Sequence, residues 1–580
     1  MNNSQENKNI SRRHFLGIAG GAVGMAAIAS IGFPSNWAAN KIEIDINNIE
    51  QQKNETDVLV IGGGIAGLFA AIKAYDAGSK VMMVSKGRLG SSGQTPFAKG
   101  IFAYDKNNST YSIDEFVEAV SASAIGTNNK AYTRQVAEHS LARVNELKEW
   151  GFFDSVLCNK PFRKPIDKRG ITVMERIVIT NLIKENGKIA GAAGFSLDEQ
   201  KLHFFEAKSV ILCTGAGGFK PNGFPICDLT HDGTIMAYNI GAKVTGKEWN
   251  DGHPGQAKNA ADCFDGWHGM FTKKPNITNV GIRHDLGVDL NYQAYILGNP
   301  LKMGRPGSEE PGSKVKGGPY VPEEFRRREG LPEGDKKPPK RKRPDNDGPP
   351  PGMAGDLVGG SSAGMAIHKS EGLVPINDKC ESNIPGLYAA GDALGSYMAG
   401  AIYTQIGSSL AGSAVQGAIA AEAAAEYCKD IKLQAIPNST INRIQEEMLA
   451  PLKREAGYSP AWVTQTLQGI MIPNFVLYIK REKMLKAALT YIEELRDHHM
   501  PMLRASDLHE LRLAHETENM IISAEMKLKA SIMRKESRCS HYRLDYPEPD
   551  NENWQAWINI FKGDNGEMKL EKQKFDSWPV

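Results

Sequence analysis

Cysteine is scarce in this chain and follows no ligand pattern. The 580 residues contain seven cysteines, and no two of them are spaced as C-x-x-C. Iron–sulfur clusters and c-type haem attachment rely on such closely spaced cysteines, as do many zinc sites. The chain therefore lacks the sequence signature of a metal cluster or haem of its own, and its cysteines are expected to be scattered core thiols.

An excess of charge of one sign is also missing. Lys and Arg together number 69 and Asp and Glu number 67, which gives a formal net charge of +2. This balance offers no electrostatic reason to expect nucleic acid or an anionic membrane as a partner. The composition, 41% hydrophobic and 23% charged, is typical of a globular protein long enough for two or three domains.

Long apolar runs are confined to residues 1–40. Two adjacent arginines in SRRHFL, residues 11–16, precede a glycine- and alanine-rich run that extends to Phe33. A twin arginine before an apolar run is a bacterial export address. A membrane anchor is the alternative, but so many glycines and alanines make a weak span. We expect export by the twin-arginine route to the periplasm or the outer face of the cytoplasmic membrane, and leave cleavage of the signal open.

A glycine motif begins the folded part of the chain, after a polar linker expected at residues 41–55. DVLVIGGGIAGLFAAIKAYDAGSKVMMVSKG, residues 57–87, predicts a strand, a tight turn, a helix and a second strand. In Gly62-x-Gly64-x-x-Gly67 the first glycine permits the turn and the second lets a pyrophosphate approach the backbone. The third lets the helix pack on the strand. The sequence therefore predicts a dinucleotide whose phosphates lie at the helix N-terminus.

The rest of the chain shows three kinds of sequence. Apolar strands ending in glycine-rich turns, residues 209–219 and 385–396, alternate with helical segments and predict an α/β fold. Residues 440–540 have helical periodicity and predict a separate helical domain. Residues 304–351 are rich in Pro, Gly and charge and cannot build much core. We expect a solvated excursion there, or alternatively a basic docking surface for an acidic electron-transfer partner.

Together and in this order, the motifs resemble those of the fumarate reductase/succinate dehydrogenase flavoproteins over nearly all of residues 55–560. The resemblance implies an α/β fold with a Rossmann-like FAD-binding domain, an inserted capping domain and a C-terminal helical domain. The implied segments are 1–40 for the signal, 41–225 and 352–430 for the two parts of the FAD-binding domain, 226–351 for the capping domain and 431–580 for the helical domain.

The stretch GSSGQTPFAKGIF, here called loop 90–102, resembles the family's flavin loop. In covalently flavinylated members a His precedes the Thr of this loop, whereas Gln94 precedes Thr95 here. The resemblance therefore implies FAD held without a covalent bond.

The resemblance also gives several residues a place on the cofactor. Gly93, Thr95 and Gly100 would pass close to the isoalloxazine ring, and Asp392 matches the family acid near the ribityl and ribose region. Ser408–Leu410 match the turn beside the flavin pyrimidine. The complete set of expected FAD-binding residues is Gly62, Gly64, Ile65, Ala66, Gly67, Ser85, Lys86, Gly93, Gln94, Thr95, Gly100, Thr214, Gly215, Asp392, Ser408, Ser409 and Leu410.

Two stretches resemble the family's substrate side. HDGTIMAYNIGAKVTGKEWNDGHPG, residues 231–255, matches a stretch that ends E-F-x-Q-F-H-P-T and places Glu248 and His253. HKSEGLVPIN, residues 368–377, places the second substrate histidine at His368. In the family both histidines hold a substrate carboxylate against the flavin.

The family's carboxylate-clamping arginine is absent. The family reads G-A-N-R-L-G-S-N-S-L, whereas this chain reads GAIYTQIGSSLAG, residues 400–412, with Thr404 or Gln405 at the arginine. A neutral amide does not replace the charge of a guanidinium fork. We therefore expect a substrate with one acid or a carbonyl, bound through neutral hydrogen bonds from Gln405 and Tyr403.

The proton donor is not defined by the sequence. The family's R-G-E-G-G motif is missing from residues 226–351, and Arg283, Arg305 and Arg326 are equivalent candidates. His268, beside Trp267, either lines the substrate pocket or belongs to a buried structural pair.

These observations favour an exported FAD-dependent reductase of an activated C=C bond in a small molecule. Since no other redox centre is encoded, a separate cytochrome or iron–sulfur protein would carry the electrons. A dehydrogenase or oxidase of an amine, steroid or sugar is an alternative. Residues 534–554 also resemble L-aspartate oxidases, but those enzymes work in the cytoplasm and use the missing substrate arginine, which counts against their chemistry here. A flavin electron-transfer subunit without a substrate is a third interpretation.

Overall fold

The computed structural model describes most of the chain after residue 45. The described residues are 46–220, 226, 228–250, 255–256, 272–278, 282, 357–358, 371–395, 397–401, 404–405, 407–472, 474–477 and 479–579. They all belong to one unit, Asp45–Val580. The expected N-terminal export segment and most of the expected capping domain therefore lie outside the described residues.

The strands cover both the expected α/β region and the end of the chain. They are β1 (Glu50–Ile61), β2 (Val81–Ser85), β3 (Gly100–Phe102), β4 (Thr172–Glu175), β5 (Ile177–Glu185), β6 (Lys188–Ser196), β7 (Lys201–Leu212), β8 (Val244–Thr245), β9 (Gly255–Gln256), β10 (Asn276–Thr278), β11 (Leu357–Val358), β12 (Gly372–Leu373), β13 (Leu387–Ala389), β14 (Ile479–Lys480), β15 (Tyr542–Arg543), β16 (Ala556–Lys562) and β17 (Met568–Lys574).

The helices separate these strands in the first half of the chain and dominate the second half. They are α1 (Ile65–Asp76), α2 (Ile113–Ser123), α3 (Lys130–Trp150), α4 (Asn159–Arg169), α5 (Asp232–Asn239), α6 (Ser408–Lys429), α7 (Asn438–Lys453), α8 (Pro460–Met471), α9 (Asn474–Leu477), α10 (Glu482–Glu494), α11 (Leu508–Met533) and α12 (Asn551–Trp554).

The central sheet has seven strands in the order β4–β2–β1–β7–β6–β5, with β13 also paired to β7. β1, β2, β4, β7 and β13 run parallel, and β5 and β6 are antiparallel additions. Parallel strands end at a common edge, where the connecting turns and helix N-termini converge. The carboxyl ends of β1, β2, β7 and β13 therefore form one edge on which a ligand can be held.

β1 is longer than the sequence suggested. Its first half is polar and largely exposed, which led to the expectation of a linker at 41–55, and that expectation is wrong for Glu50–Glu55. β1 pairs with β7 from Glu50–Lys201 through to Ile61–Leu212. Backbone pairing along this whole length holds the polar half as a strand, because ladder hydrogen bonds do not require buried side chains.

α1 and α6 are packed closely against each other beside the sheet. α1 buries nearly all of its residues, and α6 is rich in alanine and glycine. A Cβ at Gly417 would lie 2.4 Å from the carbonyl oxygen of Ala66, so the absence of a side chain there permits the close approach. This packing fixes the N-termini of both helices at the same edge of the sheet.

The C-terminal domain consists mainly of helices, as expected, but its last part is a pair of strands. α8, α10 and α11 share a core that includes Val463, Leu485 and Ile521. The expected helical segment 431–580 is wrong at its end, where β16 and β17 form a hairpin. These strands complete a four-stranded antiparallel sheet in the order β12–β8–β16–β17. The β-branched and aromatic run AWINIFK, residues 556–562, favours this strand.

The described cysteines belong to the protein core. The cysteines among the described residues, Cys158, Cys213, Cys380, Cys428 and Cys539, are buried free thiols, which confirms their expected role in the core. Burial raises the pKa of Cys158 to about 11. Within the described part of the chain, every helix is too short or too polar to cross a bilayer.

Candidate cofactor site

A cavity, here called the main cavity, lies at the carboxyl edge of the central sheet. Its walls come from the turns after β1, β2, β7 and β13 and from the first turns of α1 and α6. The edge of a parallel sheet is the usual place for a nucleotide ligand in α/β folds.

The glycine turn after β1 brings the ends of β2 and β7 and the start of α1 close to one another. Gly62 has φ +124°, and a Cβ there would lie 2.1 Å from the carbonyl oxygen of Cys213. Its N–H donates to the carbonyl oxygen of Val84 at 2.8 Å. A Cβ at Gly67 would lie 1.9 Å from the oxygen of Gly62, so α1 can pack on the turn only with glycine there. The cavity wall at this turn is consequently bare backbone.

Two helix N-termini face the main cavity. Glycines occupy both N-cap positions, Gly64 before α1 and Gly407 before α6, so neither helix is capped by its own N-cap side chain. Ile65 donates its N–H to Oγ1 of Thr95 at 3.2 Å. Helix N-termini carry partial positive charge and exposed N–H groups, which bind phosphate. The N-terminus of α1, at the glycine turn, therefore suits the pyrophosphate of a dinucleotide, and that of α6 suits a second electron-rich group of the same ligand.

Loop 90–102 borders the cavity and presents an unused donor. The N–H of Gly93 donates to the carboxylate of Asp228, at 2.9 Å from Oδ2 and 3.2 Å from Oδ1. Nε2 of Gln94 is buried and has no hydrogen-bond partner among the described residues. A buried amide without an acceptor is costly. An acceptor atom on a ligand in the main cavity would satisfy it.

Lys86, at the end of β2, connects the cavity to the helical domain. Its Nζ lies 2.7 Å from Oδ2 of Asp232, 2.7 Å from Oε1 of Glu516 and 3.0 Å from Oγ1 of Thr230. Burial acts to lower the pKa of Lys86, but the charges of Asp232 and Glu516 outweigh it and raise the pKa. Lys86 therefore stays protonated and joins α5 to α11 beneath the cavity.

Most of the expected FAD-binding residues lie together. Those that line the main cavity are Gly62, Gly64, Ile65, Ala66, Ser85, Lys86, Gly93, Gln94, Thr95, Thr214, Gly215, Asp392, Ser409 and Leu410. Ser409 also donates to Oδ1 of Asp392 at 3.3 Å.

Three expected residues lie outside the lining. Gly67 packs α1 on the turn, and Gly100 begins β3, which pairs with β10. Ser408 donates to the carbonyl oxygen of Gln405 at 2.9 Å. Each therefore shapes an element that borders the cavity instead of lining it.

Several residues that line the main cavity are not in the set expected from the sequence. Among them are Ile177, Ile179, Asp228, Thr230, Asp232 and Met236. Ile177 and Ile179 alternate on β5, which signals a strand face but not a ligand. Residues 228–232 lead into α5, which begins at Asp232, and they belong to no glycine motif. The only sequence clue to this part of the cavity was HDG, residues 231–233, which begins the stretch that resembles the family's substrate side.

Most of the expected catalytic residues, His253, His368, Tyr403, Arg283, Arg305 and His268, lie outside the described residues. Gln405 is described. It is buried just before α6, and its Nε2 has no hydrogen-bond partner within the described parts of the chain. Its neighbour Thr404 is also buried, and its hydroxyl donates to the carbonyl oxygen of Ala399 at 3.3 Å.

A closed set of four buried polar side chains, here called the buried ring, lies next to the cavity. Nδ1 of His231 lies 2.8 Å from Oε1 of Glu371, and Nζ of Lys247 lies 2.6 Å from Oε2 of the same carboxylate. Oγ of Ser523 lies 3.0 Å from both nitrogens. Burial lowers the pKa of His231 and of Lys247. Although burial opposes it, the charges of His231 and Lys247 lower the pKa of Glu371 to about 2.

The segment after Lys247 is held from the helical domain as well. Nζ of Lys480 donates to the carbonyl oxygen of Glu248 at 2.6 Å, and Nζ of Lys527 donates to that of Trp249 at 3.1 Å. Nε of Arg534 donates to the Glu248 carboxylate at 3.0 Å. The segment that leads to the expected substrate histidine His253 is thus fixed by buried cations.

The main cavity fits FAD on the evidence of its own atoms. The bare glycine backbone and the N-terminus of α1 suit the pyrophosphate. Ser85 and Asp392 supply polar groups at two separate strand ends for hydroxyls. The unpartnered Nε2 of Gln94 supplies a donor beside loop 90–102.

Comparison with known proteins agrees with this geometry. Residues 57–164 match the family described as an FAD binding domain, and residues 464–580 match the family described as the fumarate reductase flavoprotein C-term. An uncharacterized FAD-dependent oxidoreductase of Methanocaldococcus jannaschii is 26% identical over 557 residues, which cover 88% of this chain and 96% of that protein. A fumarate reductase (CoM/CoB) subunit of Methanothermobacter marburgensis is 25% identical over 570 residues, which cover 88% of this chain and 98% of that protein.

Solved structures show the same fold. The FrdA chain of the E. coli quinol fumarate reductase superposes with a TM-score of 0.70 at 18% identity, covering 91% of this chain and 98% of that one. L-aspartate oxidases are among the other similar proteins. The expected α/β FAD-binding fold with a C-terminal helical domain is confirmed. The chain is thus similar to the fumarate reductase/succinate dehydrogenase flavoproteins in its family matches, its sequence and its fold, and it is an FAD-dependent oxidoreductase.

Proposed function

We propose that this protein reduces an activated C=C bond in an unsaturated organic acid or enone, with electrons from a separate carrier protein. The observation that carries the proposal is Gln405. It stands at or next to the position where the family has its clamping arginine, is buried, and has an amide Nε2 without a partner among the described residues. A buried neutral donor suits a carbonyl or a single carboxylate better than a dicarboxylate, because it adds no charge.

The cofactor is held by the main cavity. When bound, FAD supplies hydride transfer from N5. The N-terminus of α1 would bind the pyrophosphate, and that of α6 would face the flavin pyrimidine. Ser85 and Asp392 would bind hydroxyls, and Gln94 would donate to the ring system. Gly62 and Gly64 would let the ligand approach the backbone closely.

We propose that FAD is bound without a covalent link, because loop 90–102 has Gln94 where covalently flavinylated relatives have a histidine. Precipitating the purified protein with acid should release the yellow cofactor into the supernatant. Flavin that stays with the precipitate would contradict the proposal.

The substrate would be bound by His253, His368, Gln405 and Tyr403. His253 and His368 follow from the family resemblance alone, and Gln405 adds the geometry described above. His253→Ala should abolish turnover while the flavin spectrum is retained. Unchanged activity would contradict this assignment.

The decisive experiment follows reoxidation of the flavin. Under strict anaerobic conditions, the bound flavin is reduced with one equivalent of dithionite. Fumarate, acrylate, cinnamate and an enone are then added separately, followed by oxygen. Rapid reoxidation by acrylate, cinnamate or the enone, with fumarate slower, supports the proposal. Reoxidation by oxygen alone contradicts it.

A second candidate is an oxidase or dehydrogenase that takes electrons from an amine. The similarity to L-aspartate oxidases favours it. Under this alternative the oxidised flavin would be bleached rapidly by an amine donor such as L-aspartate. Such bleaching should be absent if the reductase proposal is correct.

We further propose that the protein is exported with FAD already bound. The twin arginine at residues 12–13 belongs to the route that carries folded proteins. FAD is available where the chain is made, and a non-covalent cofactor must be bound before translocation. The relative from Methanothermobacter marburgensis is named as one subunit of its enzyme, which supports a separate partner for electron transfer.

A further inference from the structure

We propose that Asp228 positions loop 90–102 and lowers the midpoint potential of the bound FAD. The inference rests on FAD occupying the main cavity, and it does not depend on which substrate is reduced. No motif in the sequence singles out Asp228, and its role follows from its contacts.

The first step is the contact with the loop. Asp228 is half-buried and lines the main cavity together with Gly93 and Gln94. Both of its carboxylate oxygens accept from the N–H of Gly93, at 2.9 and 3.2 Å. Gly93 has φ +71°, so the chain turns sharply where it is held. Asp228 thereby fixes the peptide that precedes Gln94, whose unpartnered amide borders the cavity.

The second step is the charge. Within the described residues the Asp228 carboxylate forms no ion pair. Lys86 is close enough for Asp228 to raise its pKa, but its Nζ is bonded to Asp232 and Glu516 instead. The negative charge of Asp228 is therefore incompletely neutralised at the cavity wall.

The third step is the effect on the cofactor. Two electrons and one proton convert the neutral oxidised flavin into an anionic reduced form, and a nearby fixed negative charge raises the energy of that anion. The effect is larger than in bulk water because the effective dielectric constant at a protein cavity wall is lower. A lower midpoint potential makes the reduced cofactor a better donor, which suits the proposed reductase.

Two variants separate the roles of Asp228. Asp228→Asn keeps an oxygen acceptor for Gly93 but removes the charge. Asp228→Ala removes both. Asp430→Asn is the matched control, because the same charge is removed at the far end of α6, about 33 Å along the helix from its first residue. Circular dichroism and thermal melting establish that each variant is folded.

The readouts are the midpoint potential, by spectroelectrochemical titration, and the dissociation constant for FAD. Asp228→Asn should raise the potential by about 30 mV, which corresponds to a tenfold change in the redox equilibrium of a two-electron couple. FAD binding should be unchanged in this variant. Asp228→Ala should show a similar rise together with about tenfold weaker FAD binding, since it leaves Gly93 without its acceptor. Asp430→Asn should match the wild type in both.

The results can overturn each half of the proposal. An unchanged or lower potential in Asp228→Asn overturns the electrostatic role. Wild-type FAD affinity in Asp228→Ala overturns the positioning role. A wild-type protein that binds no FAD would instead refute the cofactor assignment, and this result is recognised before any variant is made.

Discussion

At the scale of single residues, Gln405 tests the proposed substrate class most directly. Gln405→Ala should raise the KM for an enoate or enone about tenfold, because one hydrogen bond worth about 1.4 kcal/mol is lost. Thr404→Val is the matched control. Its hydroxyl is already bonded to Ala399, so this variant should leave KM unchanged. A larger effect at Thr404 than at Gln405 would contradict the assignment.

Gly67 tests the glycine motif. Gly67→Ala should destabilise the protein by about 3 kcal/mol and lower its FAD content, because the new methyl group would meet the oxygen of Gly62. Gly469→Ala is the control, since nothing lies within 4 Å of a Cβ there. It should stabilise α8 by about 0.5 to 1 kcal/mol. Equal thermal melting curves for the two variants would show that the turn is not tightly packed.

The glycines could be predicted from the sequence because each is required, for one physical reason, at a fixed position of the G-x-G-x-x-G motif. Gly62 needs a positive φ, and Gly67 needs space for a neighbouring oxygen. Asp228 could not be predicted, because its role depends on a contact between residues 135 positions apart. No local pattern encodes such a contact.

At the scale of secondary-structure elements, the buried ring joins β12, the segment after β8, α5 and α11. Glu371→Gln should reduce the free energy of unfolding by about 3 to 5 kcal/mol, because the Lys247 ammonium loses its counter-charge. Adding Lys247→Met should recover most of the loss, since the unpaired charge is removed. Chemical denaturation measures both. A stable Glu371→Gln protein would show that the ion pair contributes little.

The same ring predicts how stability depends on pH. The folded state holds the pKa of His231 below its ordinary value of 6.5, so the unfolded chain binds more protons as pH falls below 6.5. The pKa of Glu371 is about 2 against an ordinary 4.5, so further stability is lost between pH 4.5 and 2. Unfolding free energies measured from pH 8 to 4 should therefore fall as pH decreases. The decrease should be smaller in His231→Asn, and an equal decrease would contradict the role of His231.

Helices and strands with a regular pattern of apolar residues could be predicted from the sequence. The polar half of β1 and the strands near the C-terminus could not. α1 and β2 follow from residues 57–87, because their buried faces leave a clear pattern. The first half of β1 has polar, exposed side chains and reads as a linker, although β7 holds its backbone. β16 and β17 follow a long helical region, and the pairing of β16 with β8 spans more than 300 residues.

At the scale of the whole molecule, the proposed export makes a direct prediction. Replacing both arginines, Arg12→Lys with Arg13→Lys, should leave the full-length protein in the cytoplasm with its FAD bound. The conservative change keeps the charge and removes the guanidinium pair that the export route reads. Cell fractionation with a flavin assay of each fraction measures this. Protein found outside the cytoplasm, or retained protein without FAD, would contradict the proposal.

The overall family and cofactor could be predicted because several motifs occur in a fixed order along the chain. The substrate could not, since the arginine that defines it in the family is missing and a neutral residue, Thr404 or Gln405, stands at its position. The electron partner could not be predicted either, because docking depends on a surface and not on a motif.

The cofactor site is assembled from distant parts of the chain, and this sets the order of events during synthesis. The cavity needs α1 near residue 65 and α6 near residue 408, and Lys86 is bonded to Glu516. A ribosome adding about 5–20 residues per second needs about 25–100 seconds between residue 16 and residue 516. The proposed export signal thus leaves the ribosome well before the last contact of the site exists. A cell that exports the loaded enzyme must shield residues 11–16 during that interval, and a dedicated chaperone that binds the nascent signal would meet the need.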